Sequence, residues 1–259
     1  MFSTRKTRIV RAFDSAEDYE AHARVQSTVA DRLAARILAL DIDMSSPALE
    51  IGCGTGFLTR ALLDRWPELH LTASDIAPAM VERARRLLGG RANIRFDVVD
   101  GEDPAVPPDS FGLIVSSLAF QWFEKPVESI GGLITTLRPG GWLAFSTLVA
   151  GTFREWTEAQ RQAGLDVLTP DYPESSLFKE IAAGCGVDIN RYTLSQRHLD
   201  GVAFLRSLKA IGAGTRWSTA PSRPSALRRA IALFGEQGAT ISYEIAEVVI
   251  QRAKKPEGL

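Results

Sequence analysis

A glycine-rich loop directly after a short apolar run is the feature that most constrains the fold of this chain. The apolar run is Ala48–Ile51, the loop carries Gly52, Gly54 and Gly56, and a helical pattern follows to about Trp66. Because glycine has no Cβ atom, such a loop turns sharply and lets a ligand approach the backbone. The segment therefore predicts a buried strand, a ligand-binding turn and a helix in direct succession.

The alternation of apolar runs and helical stretches continues to about residue 149. A helix is expected at Pro78–Leu88, where proline stands at a favourable first position, and Arg138–Gly141 has the composition of a turn. Strands that alternate with helices indicate an α/β fold with a mostly parallel, doubly wound, Rossmann-like sheet. The expected strands are Ala48–Ile51, Leu71–Ser74, Ile94–Val98, Phe111–Ser117 and Trp142–Thr147.

Further helical patterns precede and follow this core. Val25, Val29, Leu33 and Ile37 recur every four positions and predict one helix from about residue 19 to 40. Residues 1–11 carry basic but no acidic side chains and are expected to form a solvated, partly mobile terminus. The later expected elements are helices near Thr152–Ala163, Glu174–Ala183, Val202–Ile211 and Ser225–Phe234, and strands near Tyr192–Leu199 and Ile241–Ile250.

Length and composition limit the class of protein. With 259 residues, 45% of them hydrophobic, one domain is expected: residues 1–46 as N-terminal arm and helix, 47–149 as ligand-binding core, and 150–259 as substrate-side helices and last strands. A net charge of -1 provides no general attraction to nucleic acid or to an anionic membrane, and no segment has the length of a membrane span. The two cysteines, Cys53 and Cys185, lie far apart, which fits a reducing cytoplasm.

Acidic residues on either side of the loop narrow the choice of ligand. Asp75 ends the second strand, at about the separation from the loop at which an acidic residue meets ribose hydroxyls. The glycines are spaced G-x-G-x-G, and Phe57 replaces the third glycine of a dinucleotide-binding loop, which argues against pyrophosphate. Glu50 suits a ligand with an amino group and a sulfonium. S-adenosylmethionine is such a ligand, and its carboxylate fits the helix N-terminus near Gly56.

The chain resembles class I methyltransferases and, within them, the malonyl-[acyl-carrier protein] O-methyltransferase family of biotin synthesis. The glycine loop and Asp75 are general to the superfamily, whereas three other segments carry the narrower resemblance. One departure is Gly112, where such methyltransferases usually have Asp after the aromatic residue. The similar segments are Ala12–Gln26, Leu49–Thr59, Thr72–Asp75, Asp100–Glu102, Ser116–Phe123 and Phe204–Ala213, of which Tyr19–Gln26, Gln121–Phe123 and Leu205–Gly212 are family-specific.

The resemblance implies further residues of a cofactor pocket. Asp100 and Gly101 are expected beside the adenine, where an acidic side chain accepts the N6 hydrogens. Ser116 ends the fourth strand, at the sheet edge where open α/β proteins bind ligands. Gln121 is expected as a wall residue with Trp122. Together the expected cofactor-binding residues are Glu50, Gly52, Gly54, Gly56, Asp75, Ile76, Asp100, Gly101, Ser116 and Gln121.

The implied reaction is methylation of the free carboxylate of malonyl-[acyl-carrier protein], giving the methyl ester that primes pimeloyl formation for biotin. A carboxylate with a pKa of about 4 is already ionised at neutral pH, so no general base and no metal are assigned. Tyr19 is expected to close over the sulfonium region, and Arg206 or Lys209 to pair with the malonyl carboxylate. The three histidines are given structural or surface positions: His22, His70 and His198.

The implied substrate is bound to a carrier, and other functions compete with this one. An acyl-carrier protein is acidic, so basic groups on this chain are expected to dock it, although coenzyme A remains possible as the carrier. One alternative is a methyltransferase acting on another small acid, as the trans-aconitate enzymes do. Another is a cofactor-sensing protein without catalysis, against which Glu50, Asp75 and Tyr19 argue. A nucleic-acid enzyme is disfavoured because the fourth strand lacks the Asn/Asp-Pro-Pro-aromatic motif. The candidate docking residues are Arg5, Lys6, Arg8, Arg228 and Arg229.

Overall fold

The computed structural model describes residues 3–16, 18–167, 169–213 and 223–254. Seven strands form a sheet in the order β3-β2-β1-β4-β5-β7-β6, and the pairings from β3 to β5 are parallel. With helices on both sides, this is the expected doubly wound, Rossmann-like α/β fold. The strands are β1 Ala48–Ile51, β2 Leu71–Asp75, β3 Ile94–Val98, β4 Phe111–Ser117, β5 Leu137–Leu148, β6 Gly186–Arg197 and β7 Thr240–Gln251.

The helices follow the strands in the alternation that the sequence predicts. They are α1 Thr4–Asp14, α2 Tyr19–His22, α3 Arg24–Ile37, α4 Phe57–Arg65, α5 Pro78–Leu88, α6 Pro126–Thr136, α7 Arg154–Gln162, α8 Leu177–Ile181, α9 Gly201–Ala210 and α10 Pro224–Glu236, with a short 3-10 helix at Phe120–Trp122. Among the described residues, none of these helices is long and apolar enough to cross a membrane.

The N-terminal region differs from the expectation in two ways. The expectation of a solvated, partly mobile terminus is wrong, because residues of this segment form the helix α1, which buries Ile9. Ser3 caps this helix, and its hydroxyl accepts the N–H of Lys6 at 3.1 Å. The single helix from residue 19 to 40 is also wrong, since Ala23 leaves helical geometry with ψ at 36° and separates α2 from α3. The apolar stripe on α3 is nevertheless buried as predicted.

Two late strands extend beyond their expected bounds. β5 begins at Leu137, so the segment expected to be a turn, Arg138–Gly141, lies inside the strand, where the pairing with β4 shifts register. β6 begins at Gly186, six residues before Tyr192. Backbone pairing in the sheet satisfies main-chain groups even where the local composition favours a turn, which explains both extensions.

The chain clusters into two compact units. The first comprises Met1–Val25, Leu148–Glu174 and Tyr192–Ile245, and the second comprises Gln26–Thr147, Ser175–Arg191 and Ala246–Leu259. In the second unit α3 and α4 bury an aliphatic cluster against the sheet, while α5 packs on Ala73 and Phe96.

The core of the first unit is aromatic. Phe204 lies at its centre, with ring centroids 5.7 Å from Trp156, 5.2 Å from Phe234 and 5.9 Å from Phe153. Edge contacts of this kind add about 0.5–1.5 kcal/mol per pair beyond the area that they bury. The first unit therefore has its own packed core, which supports α7, α9 and α10. The division into one domain with three segments stays a prediction.

Candidate active site

The backbone of the glycine loop explains why glycine occupies its positions. Gly52 has φ at +69° and Gly56 has φ at +97°, in the left-handed region that side chains disfavour. A Cβ atom at Gly52 would lie 2.4 Å from Cβ of Ala119, and one at Gly56 would lie 2.4 Å from Cδ1 of Leu88. Gly56 is also the N-cap of α4. The loop between β1 and α4 is therefore closely packed at its first and last glycines.

Asp75 holds this loop in place from the end of β2. Its Oδ2 atom accepts the backbone N–H of Gly54 at 2.9 Å, and its Oδ1 atom accepts the N–H of Ala77 at 2.9 Å. The side chain is buried, with 8% exposed. A carboxylate offers about four lone-pair positions, so it can accept from several donors at once, including hydroxyl groups of a ligand. The expected ribose contact of Asp75 stays a prediction, as does contact by the half-buried Ile76.

Glu50 is almost completely buried on β1, with 1% exposed. Its Oε2 atom accepts the hydroxyl of Thr59 at 2.6 Å, and its backbone oxygen accepts the hydroxyl of Ser74 at 2.7 Å. Burial raises the pKa of the Glu50 carboxyl to about 7, and the charge of Asp75 contributes to this rise, while Thr59 opposes it. A carboxyl group in this state gains most from a cation placed next to it.

The surroundings of the loop are acidic. Burial raises the pKa of the Cys53 thiol, and the charges of Asp75 and then Glu50 raise it further, so the thiol stays protonated at neutral pH. Both cysteines are free. Among the described residues, Glu50 has no basic side chain within ion-pair distance. The arrangement can therefore receive a positively charged ligand group.

The loop after β3 contains the expected adenine-side residues. A Cβ atom at Gly101 would lie 2.2 Å from Cγ2 of Ile51 and 3.0 Å from Cζ of Phe123, so only glycine fits without a shift. Asp100 accepts the N–H of Glu102 at 3.1 Å through Oδ1, the turn-forming role that Asp often has. The structure thus brings Gly101 against β1, and contact between Asp100 and adenine stays a prediction.

The carboxyl end of β4 combines strain with unpartnered hydroxyls. Leu118, just after the strand, has φ at +52°. Within the part of the chain that the structure describes, the buried hydroxyls of Ser116 and Thr55 have no hydrogen-bond partner. Buried polar groups without a partner are uncommon, and a polar ligand atom or a water molecule would satisfy them. In the described part of the chain, the structure therefore shows the same unsatisfied hydroxyl at Thr55 as at Ser116, and the expected contact of Ser116 with a cofactor stays a prediction.

Gln121 is held in a fixed orientation next to this strand end. Its Nε2 atom donates to the backbone oxygen of Leu118 at 2.5 Å, and its Oε1 atom accepts the hydroxyl of Thr147 at 3.3 Å. Nearby, the Phe120 ring lies 4.7 Å from Phe123 between centroids. These contacts explain the local packing of the expected wall residue, and its contact with a cofactor stays a prediction.

The three expected substrate-side residues belong to the first unit. Tyr19 on α2 is half-buried, with its ring centroid 6.5 Å from that of Phe13, and α2 packs against α9. Arg206 and Lys209 are exposed on α9. Gly212, with φ at +72°, ends this helix next to Phe13, where a Cβ atom would lie 3.1 Å from the ring. The roles of Tyr19, Arg206 and Lys209 stay predictions.

Sequence reasoning missed two residues that the structure places at the glycine loop, Thr59 and Thr55. Thr59 lies nine residues after Glu50, in the first turn of the helix that follows the loop. In a strand–turn–helix unit, the first turn of the helix packs back over the end of the strand. The spacing of nine residues could therefore have predicted a contact between Thr59 and Glu50. Thr55 gave no such signal, since its hydroxyl is recognisable only by its burial.

Comparisons with known proteins identify the family of the chain. A family model described as a methyltransferase domain matches residues 48–141. The chain is 41% identical over 253 residues to the biotin biosynthesis bifunctional protein BioCD of Bordetella avium, covering 97% of this chain and 53% of that protein. It therefore spans about half the length of this relative.

Two further comparisons cover nearly the whole of the matched proteins. The chain is 36% identical over 246 residues to a malonyl-[acyl-carrier protein] O-methyltransferase of Magnetococcus marinus, covering 93% of this chain and 91% of that protein. The fold is similar to the crystal structure of the YcgJ protein from Bacillus subtilis, with a TM-score of 0.62, 16% identity, and coverage of 86% of this chain and 98% of that one. The 36% identity to the Magnetococcus marinus enzyme over nearly its whole length shows that the chain belongs to the family of malonyl-[acyl-carrier protein] O-methyltransferases.

Proposed function

We propose that this protein transfers a methyl group from S-adenosylmethionine to the free carboxylate of malonyl-[acyl-carrier protein]. The product is the methyl ester that primes pimeloyl formation for biotin. The observation that carries the proposal is the pair of buried carboxyl groups at the glycine loop, Glu50 and Asp75, in a chain of this family. Two relatives that cover most of this chain are named for this carrier-bound substrate or for biotin synthesis.

The residues at the loop fit S-adenosylmethionine. The Glu50 carboxyl would receive its ammonium group, and Asp75 its ribose hydroxyls. The N-terminal end of α4 at Gly56 favours a negative group and would receive its carboxylate. The hydroxyls of Ser116 and Thr55, which have no hydrogen-bond partner among the described residues, would gain hydrogen bonds from the ligand or its water. When bound, this cofactor supplies a methyl group activated by attachment to a sulfonium.

The acceptor determines what the protein must contribute. A malonyl carboxylate is ionised at neutral pH, so proton removal is unnecessary and the protein contributes binding and orientation. Productive orientation alone is worth about 7–11 kcal/mol of the barrier in favourable cases. The histidines fit this view: His22 and His70 are exposed, and burial lowers the pKa of His198, which packs on Phe204.

Arg206 and Lys209 are the proposed partners of the malonyl carboxylate. We expect Arg206→Ala or Lys209→Ala to raise KM for malonyl-carrier protein about 10-fold, the equivalent of about 1.4 kcal/mol. The Kd for S-adenosylmethionine should change less than about 2-fold, because the cation pairs with substrate and not with cofactor. Steady-state kinetics and calorimetry measure the two constants. Lys179→Ala on α8, another exposed lysine, is the control. Equal losses in both constants would contradict this role.

The carrier is proposed to dock on basic residues of α1 and α10. Arg8, Arg228 and Arg229 are exposed, while Arg5 and Lys6 are half-buried on α1. Because attraction between opposite surface charges is screened by salt, KM for malonyl-carrier protein should rise several-fold between about 50 mM and 500 mM salt. KM for malonyl-coenzyme A should rise less. A salt-independent KM for the carrier-bound substrate would rule out this docking surface.

A substrate panel tests the proposed function as a whole. The protein is incubated with methyl-labelled S-adenosylmethionine and malonyl-, succinyl- or acetyl-carrier protein, with malonyl-coenzyme A and with free trans-aconitate. We expect labelled ester on the malonyl group, none on the acetyl group, which has no free carboxylate, and much less on the longer succinyl group. Exclusive labelling of trans-aconitate would support the small-acid alternative. Cofactor binding without transfer to any acceptor would support a sensing protein.

A further inference from the structure

The side chain of Thr59 is buried against Glu50 at the start of α4. Thr59 has 0% and Glu50 has 1% of its surface exposed, and 2.6 Å separates the threonine Oγ1 atom from Oε2 of the glutamate. The bond joins β1 to α4 across the glycine loop. Because both side chains are buried, this bond satisfies the threonine hydroxyl and one oxygen of the carboxyl.

We propose that Thr59 is a positioning residue, which donates its hydroxyl proton to Oε2 of Glu50 and so orients the carboxylate toward the ammonium group of the cofactor. This inference rests on the proposed function, because it assumes that S-adenosylmethionine binds at the loop. Thr59 would act on the cofactor through its hydrogen bond to Glu50.

The direction of the hydrogen bond is set by the chemistry of the two groups. An ionised carboxylate only accepts, whereas a threonine hydroxyl donates one proton. With Thr59 donating its hydroxyl proton to Oε2, the carboxylate is held in one orientation and keeps lone pairs that can accept from a ligand. Thr59 is suited to this because a β-branched side chain in a helix has few rotamers. Its neighbours Leu58 and Leu62 are buried and anchor α4.

The charge of Glu50 also depends on Thr59. Burial and the charge of Asp75 raise the pKa of the Glu50 carboxyl, whereas the hydroxyl and the backbone N–H of Thr59 lower it. The titratable groups that act on this carboxyl are Asp75 at the end of β2 and the Cys53 thiol, which stays protonated. Without the Thr59 hydroxyl, a larger fraction of Glu50 would hold a proton at neutral pH, and a protonated carboxyl attracts an ammonium group less.

Two substitutions separate positioning from simple packing. Thr59→Val keeps the branched shape and the backbone N–H but removes the hydroxyl, while Thr59→Ser keeps the hydroxyl and removes a methyl group. A packing role predicts that both variants are impaired, whereas the positioning role predicts that only the valine variant is. Thr59→Ala is a second variant without the hydroxyl, used if the valine variant does not fold.

The first measurement uses the protein without cofactor. Glutamate side chains labelled with carbon-13 are titrated by NMR, with Glu50→Gln to identify the Glu50 resonance. We expect the titration midpoint of Glu50 to rise in Thr59→Val and to match the wild-type midpoint in Thr59→Ser. An unchanged midpoint in the valine variant would overturn the proposed role.

The second measurement is calorimetric binding of S-adenosylmethionine and S-adenosylhomocysteine between pH 6 and pH 9. At pH 7 the Kd of Thr59→Val should be about 10-fold weaker than wild type, because less of Glu50 is ionised and the carboxyl is less well oriented. A loss shared by Thr59→Ser would overturn the inference in favour of packing. If the wild-type protein bound neither compound, the proposed function itself would fail. The NMR titration without cofactor would still test the effect of Thr59 on Glu50, so the two failures are distinguishable.

Discussion

Replacing Asp75 with alanine is expected to weaken S-adenosylmethionine binding about 100-fold or more, the equivalent of about 2.7 kcal/mol. The substitution removes the acceptor for the N–H groups of Gly54 and Ala77, both at 2.9 Å. Without Asp75 the glycine loop loses the bond from Gly54 to the end of β2, while the N–H of Cys53 still donates to the backbone oxygen of Ser74 at 2.8 Å. The expected ribose contact is lost with the Asp75 carboxylate. The effect therefore combines a displaced loop with a missing ligand contact.

The same substitution should destabilise the folded protein. A buried donor left without a partner costs about 1–3 kcal/mol, so two of them amount to roughly 2–6 kcal/mol if neither finds water. Asp75→Asn should have intermediate effects, because the amide oxygen still accepts one N–H while the amide NH2 group faces the other. Urea unfolding measures the stability and isothermal titration calorimetry the affinity.

Asp43 offers a matched control for this experiment. Its carboxylate also accepts a backbone N–H in a turn, from Ser45 at 3.0 Å, but the side chain is exposed and lies outside the glycine loop. Asp43→Ala should leave the cofactor Kd within about 2-fold of wild type, since water replaces the lost acceptor at an exposed site. Wild-type affinity in Asp75→Ala would contradict the role of this residue in the site.

Glu50 should give the folded protein a distinctive dependence of stability on pH. The pKa of its carboxyl is raised from 4.5 to about 7 in the folded protein by burial, with a contribution from Asp75. Between these values the folded protein holds a proton that the unfolded chain has released. The free energy of unfolding therefore falls as pH rises from about 4.5 to about 7, and the contribution is constant above that range.

The size of this contribution follows from the shift. A rise from 4.5 to about 7 is about 2.5 pKa units, which corresponds to about 3 kcal/mol across the range. Glu50→Gln cannot titrate, so the difference in unfolding free energy between wild type and variant should change by roughly this amount between pH 4.5 and pH 7. Glu82→Gln, at an exposed position on α5, is the control and should run parallel to wild type.

Cofactor binding should weaken this dependence of stability on pH. An ammonium group beside Glu50 favours the ionised form and lowers its pKa, so saturating S-adenosylmethionine should flatten the dependence of stability on pH. Glu50→Gln should also bind the cofactor about 10- to 100-fold more weakly at pH 8, because it lacks the negative charge. Chemical unfolding at several pH values, with and without cofactor, checks both points. Parallel curves for wild type and Glu50→Gln would show that Glu50 does not titrate in this range.

Periodicity and turn composition predicted much of the central fold. The bounds of β1, α5, β3 and β4 agree with the expectation, because each element has an apolar pattern of its own. Glycine follows β1 and α5, and β4 ends at Ser117, so turn-forming or polar residues also mark these ends. The terminus was misjudged for the opposite reason. The basic residues of α1 indicate solvent exposure, and only tertiary packing buries the single face that carries Ile9.

The sequence by itself determined that a glycine loop lies between a buried strand and a helix, with Glu50 before it and Asp75 at the end of the next strand. The tertiary structure decided how these groups are joined. Asp75 bonds to the loop backbone 21 positions away, and Glu50 is buried against Thr59, which sequence reasoning missed. Such bonds depend on the angle at which α4 returns over β1 and on exclusion of water, and neither is encoded in local periodicity.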